Sequence, residues 1–278
     1  MKQQKIDLRY FNSLIVPLPP NFNLIPYIYL YNQFNSNETM CCGFDFINEN
    51  GELIKQETFE QYFHFAGNKI APKNIPNGTS YFLAWAYPKN EQLQNYLIEL
   101  KNEKIFNHVY AHSNSLNYSF KNGVMGGINY QFFPTNGLSD KGSSLIMQSP
   151  KVYIDFENST VVSFTYYTLN AHELESAHLT VSLRNQNGDE VYQRQVEIKP
   201  NCIHYEIFNY ETKLSGWFTL FAICTNRAII PISFLINPNK SITVDHSMPP
   251  VAYSMLWSGN RRSNSIHYLE KQFQGHRL

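Results

Sequence analysis

The sequence predicts an all-β fold made of two tandem, internally duplicated antiparallel β-sandwich domains with few short helices. Three observations support this prediction. Apolar and polar residues alternate along short segments, turn sequences such as Asn-Gly and Pro-Asn separate these segments, and the segments of the first half recur in the same order in the second half. Short strands separated by such turns are typical of sandwiches and barrels.

The alternating segments are rich in Val, Ile, Thr, Tyr and Phe, residues that favour β-strands. The clearest ones cover residues 161–169, 178–183, 191–198 and 217–224. Apolar residues at helical spacing are scarce. Residues 90–104 have such a stripe, although they also fit a strand with a polar start, and residues 268–274 are a second short candidate.

The duplication is clearest where residues 27–51 align without gaps with residues 164–188. Each segment predicts a strand, a polar loop, a second strand and then a hairpin turn, at residues 48–51 and 185–188. An Asn-Gly pair suits a type I′ turn, in which both central residues have positive φ. We therefore expect type I′ turns at both places.

Weaker matches follow in the same order along the chain. They pair residues 13–15 with 144–146, 77–84 with 215–222, and 111–113 with 245–247. Colinear matches of this kind are typical of a repeated domain. The expected organisation is a first sandwich at 1–118, a glycine-rich linker or long loop at 119–143, a second sandwich at 144–254, and a tail at 255–278.

Composition limits the classes of partner. The 278-residue chain has 22 basic and 22 acidic side chains, so it lacks the basic excess of a general nucleic-acid binder. Its four cysteines form no CxxC pair, which favours free and mostly buried thiols. We find no signal-peptide pattern and no membrane-spanning segment, so we expect a cytoplasmic protein without nucleic-acid or membrane partners.

Two His-Ser dipeptides are the candidate site. His112-Ser113 and His246-Ser247 occupy matching places near the ends of the repeats, and an imidazole can contact a ligand, take a proton or bind a metal. Histidines that cap strand ends would recur equally well, so a purely structural role is the alternative. The predicted ligand-binding residues are His112, Ser113, Tyr118, Asp245, His246, Ser247, Tyr253, Arg261 and Arg262.

Motifs for catalysis are lacking in the sequence. His172-Glu173 is not followed by the second histidine of an HExxH zinc motif, and no GxSxG nucleophile turn occurs. We therefore expect no catalytic residue, no metal and no cofactor.

Part of the second repeat resembles a known family. Residues 176–183, 195–200, 216–222 and 229–232 form a small-residue strand start, a proline-ended strand and a strand leading to an apolar-Pro-Ile step. This pattern resembles the sandwich of the sensory rhodopsin transducer family and related adhesion-type modules. The resemblance implies an oligomerising sandwich that binds a ligand or a partner rather than an enzyme, and it assigns no functional residue.

Together these observations predict a non-catalytic binding protein, with a carbohydrate or another small polar ligand stacked on Tyr and Trp and hydrogen-bonded by polar side chains. One alternative is a homo-oligomeric scaffold. The other is a metal-dependent enzyme that uses His108, His112 or His246.

Overall fold

The computed structural model describes residues 13–31, 37–64, 67–89, 114–121, 123, 125–130, 144–168, 174–224, 226–227, 229–237, 239 and 241–245. The chain divides into two compact units, Met1–Phe133 and Pro134–Leu278. The described elements are β-strands and one short 3-10 turn, so the predicted all-β class is confirmed. The helices predicted at 90–104 and 268–274 lie outside the described residues.

Strands of the first unit form two antiparallel sheets. The strands are β1 Ser13–Pro17, β2 Ile25–Leu30, β3 Glu38–Asn48, β4 Leu53–Phe63, β5 Asn68–Ile70, β6 Thr79–Pro88, β7 Asn114–Ser119 and β8 Met125–Tyr130. The strand orders are β1-β6-β3-β4 in the first sheet and β5-β2-β7-β8 in the second sheet.

The second unit is built in the same way. Its strands are β9 Ser144–Ile154, β10 Ser159–Tyr166, β11 Ala177–Arg184, β12 Glu190–Ile198, β13 Cys202–Phe208, β14 Gly216–Cys224, β15 Ile230–Asn237 and β16 Ser241–Asp245. The first sheet has the order β12-β11-β14-β9 and the second sheet has the order β13-β10-β15-β16. The 3-10 turn Tyr210–Thr212 lies between β13 and β14.

Both units therefore share one topology. If each strand of the first unit is replaced by the strand eight places later, both of its sheet orders become those of the second unit. The same order in two sheets is what a duplicated domain predicts. The internal duplication inferred from the sequence is confirmed.

The pairing of the central strands extends the duplication to single residues. Phe44 of β3 lies opposite Ala84 of β6, and Val181 of β11 lies opposite Ala222 of β14. Residues of β3 and β6 thus have counterparts 137 and 138 positions later. These two correspondences are the ones that the sequence alignment proposed.

At the first strand the alignment was wrong by one residue. Leu14 pairs with Ala84, whereas Ala222, the counterpart of Ala84, pairs with Ile146. Leu14 therefore corresponds to Ile146 and not to Leu145. Because a shift of one residue exchanges the two faces of a strand, this error would have placed core side chains on the wrong side.

Two hairpin loops repeat the same hydrogen bonds. The side-chain oxygen of Asn48 accepts from the N–H groups of Asn50 and Glu52, both at 2.9 Å. The side-chain oxygen of Asn185 accepts from the N–H groups two and four residues later, also both at 2.9 Å. Asparagine at the end of each strand thus fixes its own turn.

These turns are not of type I′. Gly51 and Gly188 have φ values of 79° and 86°, but the asparagine before each glycine does not have positive φ. Each glycine N–H donates to the carbonyl of Asn48 or Asn185, three residues earlier. This geometry is a type I turn followed by a left-handed glycine, and the register of each neighbouring strand pair shifts beside it. The prediction of type I′ turns was therefore wrong.

Part of the expected linker is a strand. β8 lies within residues 119–143 and pairs with β7, which makes it the last strand of the second sheet of the first unit. The boundary between the units, at Phe133 and Pro134, falls within the 119–143 segment where the sequence predicted it. Gly126 and Gly127 weaken the strand pattern of β8, which is why its sequence suggested a loop.

In the second unit, both sheets contribute to one buried core. Val181 and Leu183 of the first sheet belong to the same apolar cluster as Val162 and Phe164 of the second sheet. Alternate residues on the first sheet, such as Thr180, point to the other face because successive strand residues alternate in direction. The unit is therefore a two-layer sandwich.

On the first sheet of the first unit, a tryptophan lies against a glycine. A Cβ atom added to Gly43 would come within 2.3 Å of Cζ2 of Trp85. The indole N–H of Trp85 donates to Oδ1 of the buried Asp45 at 3.0 Å, and the Gln56 amide donates to the same oxygen at 2.7 Å. The position of the indole thus depends on the absence of a side chain at residue 43.

We expect Gly43→Ala to lower the free energy of unfolding by about 2 kcal/mol, because the added methyl group displaces a buried indole. Gly188→Ala is the matched control, since nothing lies within 4 Å of its added Cβ and only its φ of 86° is strained. The control should cost about 1 kcal/mol. Urea unfolding measures both, and equal losses would contradict the steric explanation.

The four cysteines are free thiols, as predicted. Cys42, Cys202 and Cys224 are buried and Cys41 is half-buried. Burial raises the pKa of Cys42 to about 12 and also raises the pKa values of Cys202 and Cys224. Three thiols are therefore both inaccessible and poorly ionised at neutral pH.

With an aromatic disulfide reagent at pH 8, we expect the native protein to show at most one rapidly reacting thiol, that of Cys41. Cys41→Ser should remove this rapid phase, and unfolding in urea should release the remaining thiols. Rapid reaction of two or more thiols in the folded protein would contradict the burial described above.

Candidate functional site

Seven of the nine predicted site residues lie outside the described residues: His112, Ser113, His246, Ser247, Tyr253, Arg261 and Arg262. The other two, Tyr118 and Asp245, are described. Asp245 ends β16 and lies half-buried opposite Ser233, whose hydroxyl donates to the Asp245 carbonyl at 3.4 Å.

Tyr118 belongs to the interior of the first unit. Its side chain is fully buried, and its hydroxyl donates to the carbonyl of Pro17 at 2.7 Å. This bond connects β7 of the second sheet with β1 of the first sheet. A ring that is enclosed in this way cannot stack on a ligand, so the role predicted for Tyr118 is corrected to a structural one.

Strand topology also removes the expected equivalence of the two His-Ser dipeptides. Ser113 directly precedes β7, whereas Asp245 ends β16. The counterpart of β7 is β15. The dipeptides therefore adjoin strands that do not correspond, and the sequence match between residues 111–113 and 245–247 was wrong.

Two neighbouring aromatic rings, the exposed Trp217 and the half-buried Tyr153, lie on the first sheet of the second unit. Trp217 and Tyr153 are cross-strand partners on β14 and β9, and their ring centroids are 4.7 Å apart with the planes tilted by 40°. The adjacent residues Val152 and Phe218 point into the core. The two rings therefore lie on the outer face, where 43% of the Trp217 surface is exposed. We call these two residues the aromatic pair.

The loop after β9 holds the tyrosine of this pair. The Asp155 carboxylate accepts hydrogen bonds from the N–H groups of Glu157 and Asn158, at 2.8 and 2.6 Å, and from the Asn158 amide. It also accepts from the Tyr153 hydroxyl, which raises the pKa of Tyr153. Phe156, at the tip of this loop, is 84% exposed.

A cation lies on the same face. Arg184 of β11 pairs with Thr219 of β14, which lies two residues after Trp217 and on the same face. The guanidinium carbon of Arg184 lies 5.4 Å from the centroid of the Phe221 ring. Its Nη1 donates to the carbonyl of Gly188 at 3.3 Å, and its buried Nε has no acceptor. Glu190, its neighbour on β12, accepts instead from the amide of Gln193 at 3.4 Å.

The duplication provides an internal comparison for this face. The counterparts of Trp217 and Arg184 in the first unit are Thr79 and Ile47, from the offsets of 138 and 137 residues. The same backbone therefore folds with neither an indole nor a guanidinium at these positions. Sandwich formation does not account for the aromatic pair or for Arg184.

A second polar cluster closes one edge of the second unit. We call it the edge cluster, and it consists of Tyr192 and Arg194 on β12 and His204 and Glu206 on β13. Glu206 is only 4% exposed and accepts from the Tyr192 hydroxyl, from Nε2 of His204 at 2.8 Å and from Nη1 of Arg194 at 3.4 Å. Because β12 and β13 are edge strands of different sheets, these bonds join the two layers.

The charge states follow from these contacts. Burial alone would raise the pKa of Glu206, but the hydrogen bonds from His204 and Tyr192 and the charge of Arg194 hold it below its ordinary value. Burial and the bond to the Glu206 carboxylate raise the pKa of Tyr192 to about 12. The cluster is therefore an ionised carboxylate with its donors already in place, which suits a structural clasp better than acid-base chemistry.

Sequence analysis missed both groups. Tyr192 and Glu206 are separated by a turn that changes sheets, and no local pattern indicates such a pair. Trp217 stood within a predicted strand, but alternation alone does not say which face is open. The comparison of Trp217 with Thr79 was available from the alignment and was the one signal for this site.

Among the described residues, no group of three or more His, Cys, Asp or Glu side chains is placed to hold a metal ion. Nor does the described part of the chain contain a helix with the length and apolar content of a membrane span.

Comparisons with known proteins identify no family. No protein-family model and no curated protein matches the sequence. One solved structure with some likeness is a β-glucuronidase from glycoside hydrolase family 2, which is 12% identical, with 84% of this chain and 23% of that chain covered and a TM-score of 0.17. The chain thus spans about a quarter of the length of that enzyme, and a likeness of this size carries no argument about function.

For the edge cluster, we expect Glu206→Gln to lower the free energy of unfolding at pH 7 by about 2 kcal/mol, because it replaces a buried carboxylate that accepts three hydrogen bonds. The pKa of Glu206 is lower in the folded chain than the roughly 4.3 of an unfolded glutamate. Its stabilisation is therefore complete above that value and is lost as the pH falls through the folded pKa.

Consequently, the difference between native and Glu206→Gln proteins should shrink when urea unfolding is measured at decreasing pH between 7 and 3. Glu197→Gln, on an exposed position of β12, is the control and should change stability little at any pH. A pH-independent difference would contradict the role of the ionised carboxylate.

Proposed function

We propose that this protein is a non-catalytic binding protein that holds a carbohydrate, or a similar small polar ring compound, on the aromatic pair of the second unit. The observation that carries the proposal is the exposed and preformed Trp217–Tyr153 surface. The proposal keeps the stacking interaction that the sequence predicted, but it assigns that interaction to Trp217 and Tyr153 and not to the residues around the His-Ser dipeptides.

The energetic argument starts from the exposed indole. Apolar surface that leaves water contributes about 25 cal/mol for each Å². Trp217 is 43% exposed although it belongs to a paired strand, so this contribution remains available to a ligand. The C–H face of a sugar ring is flat and apolar enough to cover such a ring, and tryptophan and tyrosine are the residues most enriched at binding surfaces.

Rigidity favours binding as well. Both rings extend from paired strands, and the Tyr153 hydroxyl is held by Asp155. A site that is already ordered costs little conformational entropy when a ligand binds. Hydroxyl groups of a sugar would find the donors of Arg184 and the oxygens of Asp155 and Thr219 near the rings, since these residues neighbour the aromatic pair in sequence or register.

The test is binding of labelled protein to an array of neutral and acidic oligosaccharides. We expect Trp217→Ala to weaken binding to the recognised glycans at least tenfold, because the stacking surface is lost. Tyr210→Ala is the matched control, since Tyr210 is 68% exposed in the same unit but lies outside the aromatic pair. Absence of any glycan signal from the native protein, or an equal loss in both variants, would contradict the proposal.

A further inference from the structure

The outer face of the second sheet of the first unit has a distinct composition. Tyr27 and Tyr29 of β2 lie side by side on it, because alternate strand residues share a face about 7 Å apart. Both are half-buried, while the neighbouring Pro26 and Ile28 are buried. Opposite them on β7 lie Asn117 and Ser115, respectively.

This face is stepped. The next strand, β8, places Gly127 opposite Asn117, and a Cβ added there would lie 2.0 Å from the Asn117 side-chain oxygen. Along the row Tyr27, Asn117 and Gly127, the side chains therefore become smaller from strand to strand, so this part of the face slopes. The Asn117 amide donates to the Ser115 hydroxyl at 2.9 Å, which leaves the hydroxyl proton free to turn toward a ligand.

One cation is fixed on this surface. Nζ of Lys69 on β5 lies 4.1 Å from the centroid of the Tyr27 ring. Lys69 is exposed and forms no ion pair in the described part of the chain. The described residues of β2, β5, β7 and β8 include no Asp or Glu, so the charge of Lys69 is not compensated on its own sheet.

The corresponding face of the second unit is different. There the strands carry Val161, Ile232 and Phe234, all buried. The duplicated fold therefore does not require tyrosines, a lysine or a glycine on this face. In the same way, the comparison with Thr79 showed that the first sheet does not require Trp217.

From this arrangement we infer that the outer face of sheet β5-β2-β7-β8 is a second binding surface, for a saccharide that carries an anionic group. Lys69 pairs with the anion, Tyr29 stacks on the sugar ring, and Ser115 and Asn117 bond its hydroxyls. A single lysine suits a saccharide whose acidic groups are far apart along the polymer. It suits nucleic acid poorly, because stable binding there requires neutralising several phosphates.

This inference is independent of the aromatic pair, so it is tested in the Trp217→Ala variant. Calorimetry uses tetragalacturonate as the carboxylate probe, galactotetraose as its neutral counterpart, and dextran sulfate to separate sulfate from carboxylate recognition. We expect tetragalacturonate or dextran sulfate to bind and galactotetraose to bind at least tenfold more weakly. The affinity for the acidic probe should fall as NaCl is raised from 50 to 300 mM.

Lys69→Gln should weaken acidic binding about tenfold, with Lys73→Gln, an exposed lysine of the same unit, as the control. Tyr29→Ala should weaken both acidic and neutral binding. Equal effects of the two lysine variants, or no binding of either acidic probe, would overturn the inference. Lys69-dependent binding of single-stranded dT12 in place of the saccharides would overturn it too. The loss of glycan binding caused by Trp217→Ala tests only the function proposed above and not this inference.

Discussion

Cross-strand register is the constraint on which the rest of this structure depends. The pair Phe44–Ala84, and its counterpart Val181–Ala222, decide which alternate residues of the central strands enter the core. Since the period of a strand is two, a slip of one residue would exchange core and surface along the whole strand. The loops at Asn48 and Asn185, each closed by its own asparagine, connect β3 to β4 and β11 to β12 and so set the register of those neighbouring pairs.

Conservation of register between the units leaves their outer faces free to differ. Thr79 and Trp217 occupy one position of the duplicated sheet, yet only the indole offers a stacking surface. On the second sheets, the outer face of the first unit carries tyrosines and Lys69, whereas that of the second unit carries the buried Val161, Ile232 and Phe234. The shared core thus acts as an internal reference, and the surface residues that it does not require are the candidates for function.

The fold class and the free thiols could be predicted because they depend on local alternation and composition. The duplication could be predicted because matching segments follow in the same order in both halves of the chain. The turn type could not be, since Asn50-Gly51 is compatible with one or two residues of positive φ and only the strand register decides between them. β8 was missed because Gly126 and Gly127 have weak strand propensity and depend on β7 for pairing. The predicted equivalence of the two His-Ser dipeptides was wrong because a match of three residues does not show which strands correspond.

The closed edge of the second unit favours a proposed binding surface on a sheet face of that unit rather than between its layers. Glu206 already receives three hydrogen bonds from Tyr192, His204 and Arg194, so the gap between edge strands β12 and β13 is filled by bonds within the protein. A ligand entering there would have to replace charge-assisted bonds in a largely buried place, which is costly. At Trp217 a ligand of the proposed kind would displace only water, and the hydrogen bonds within the protein would stay intact.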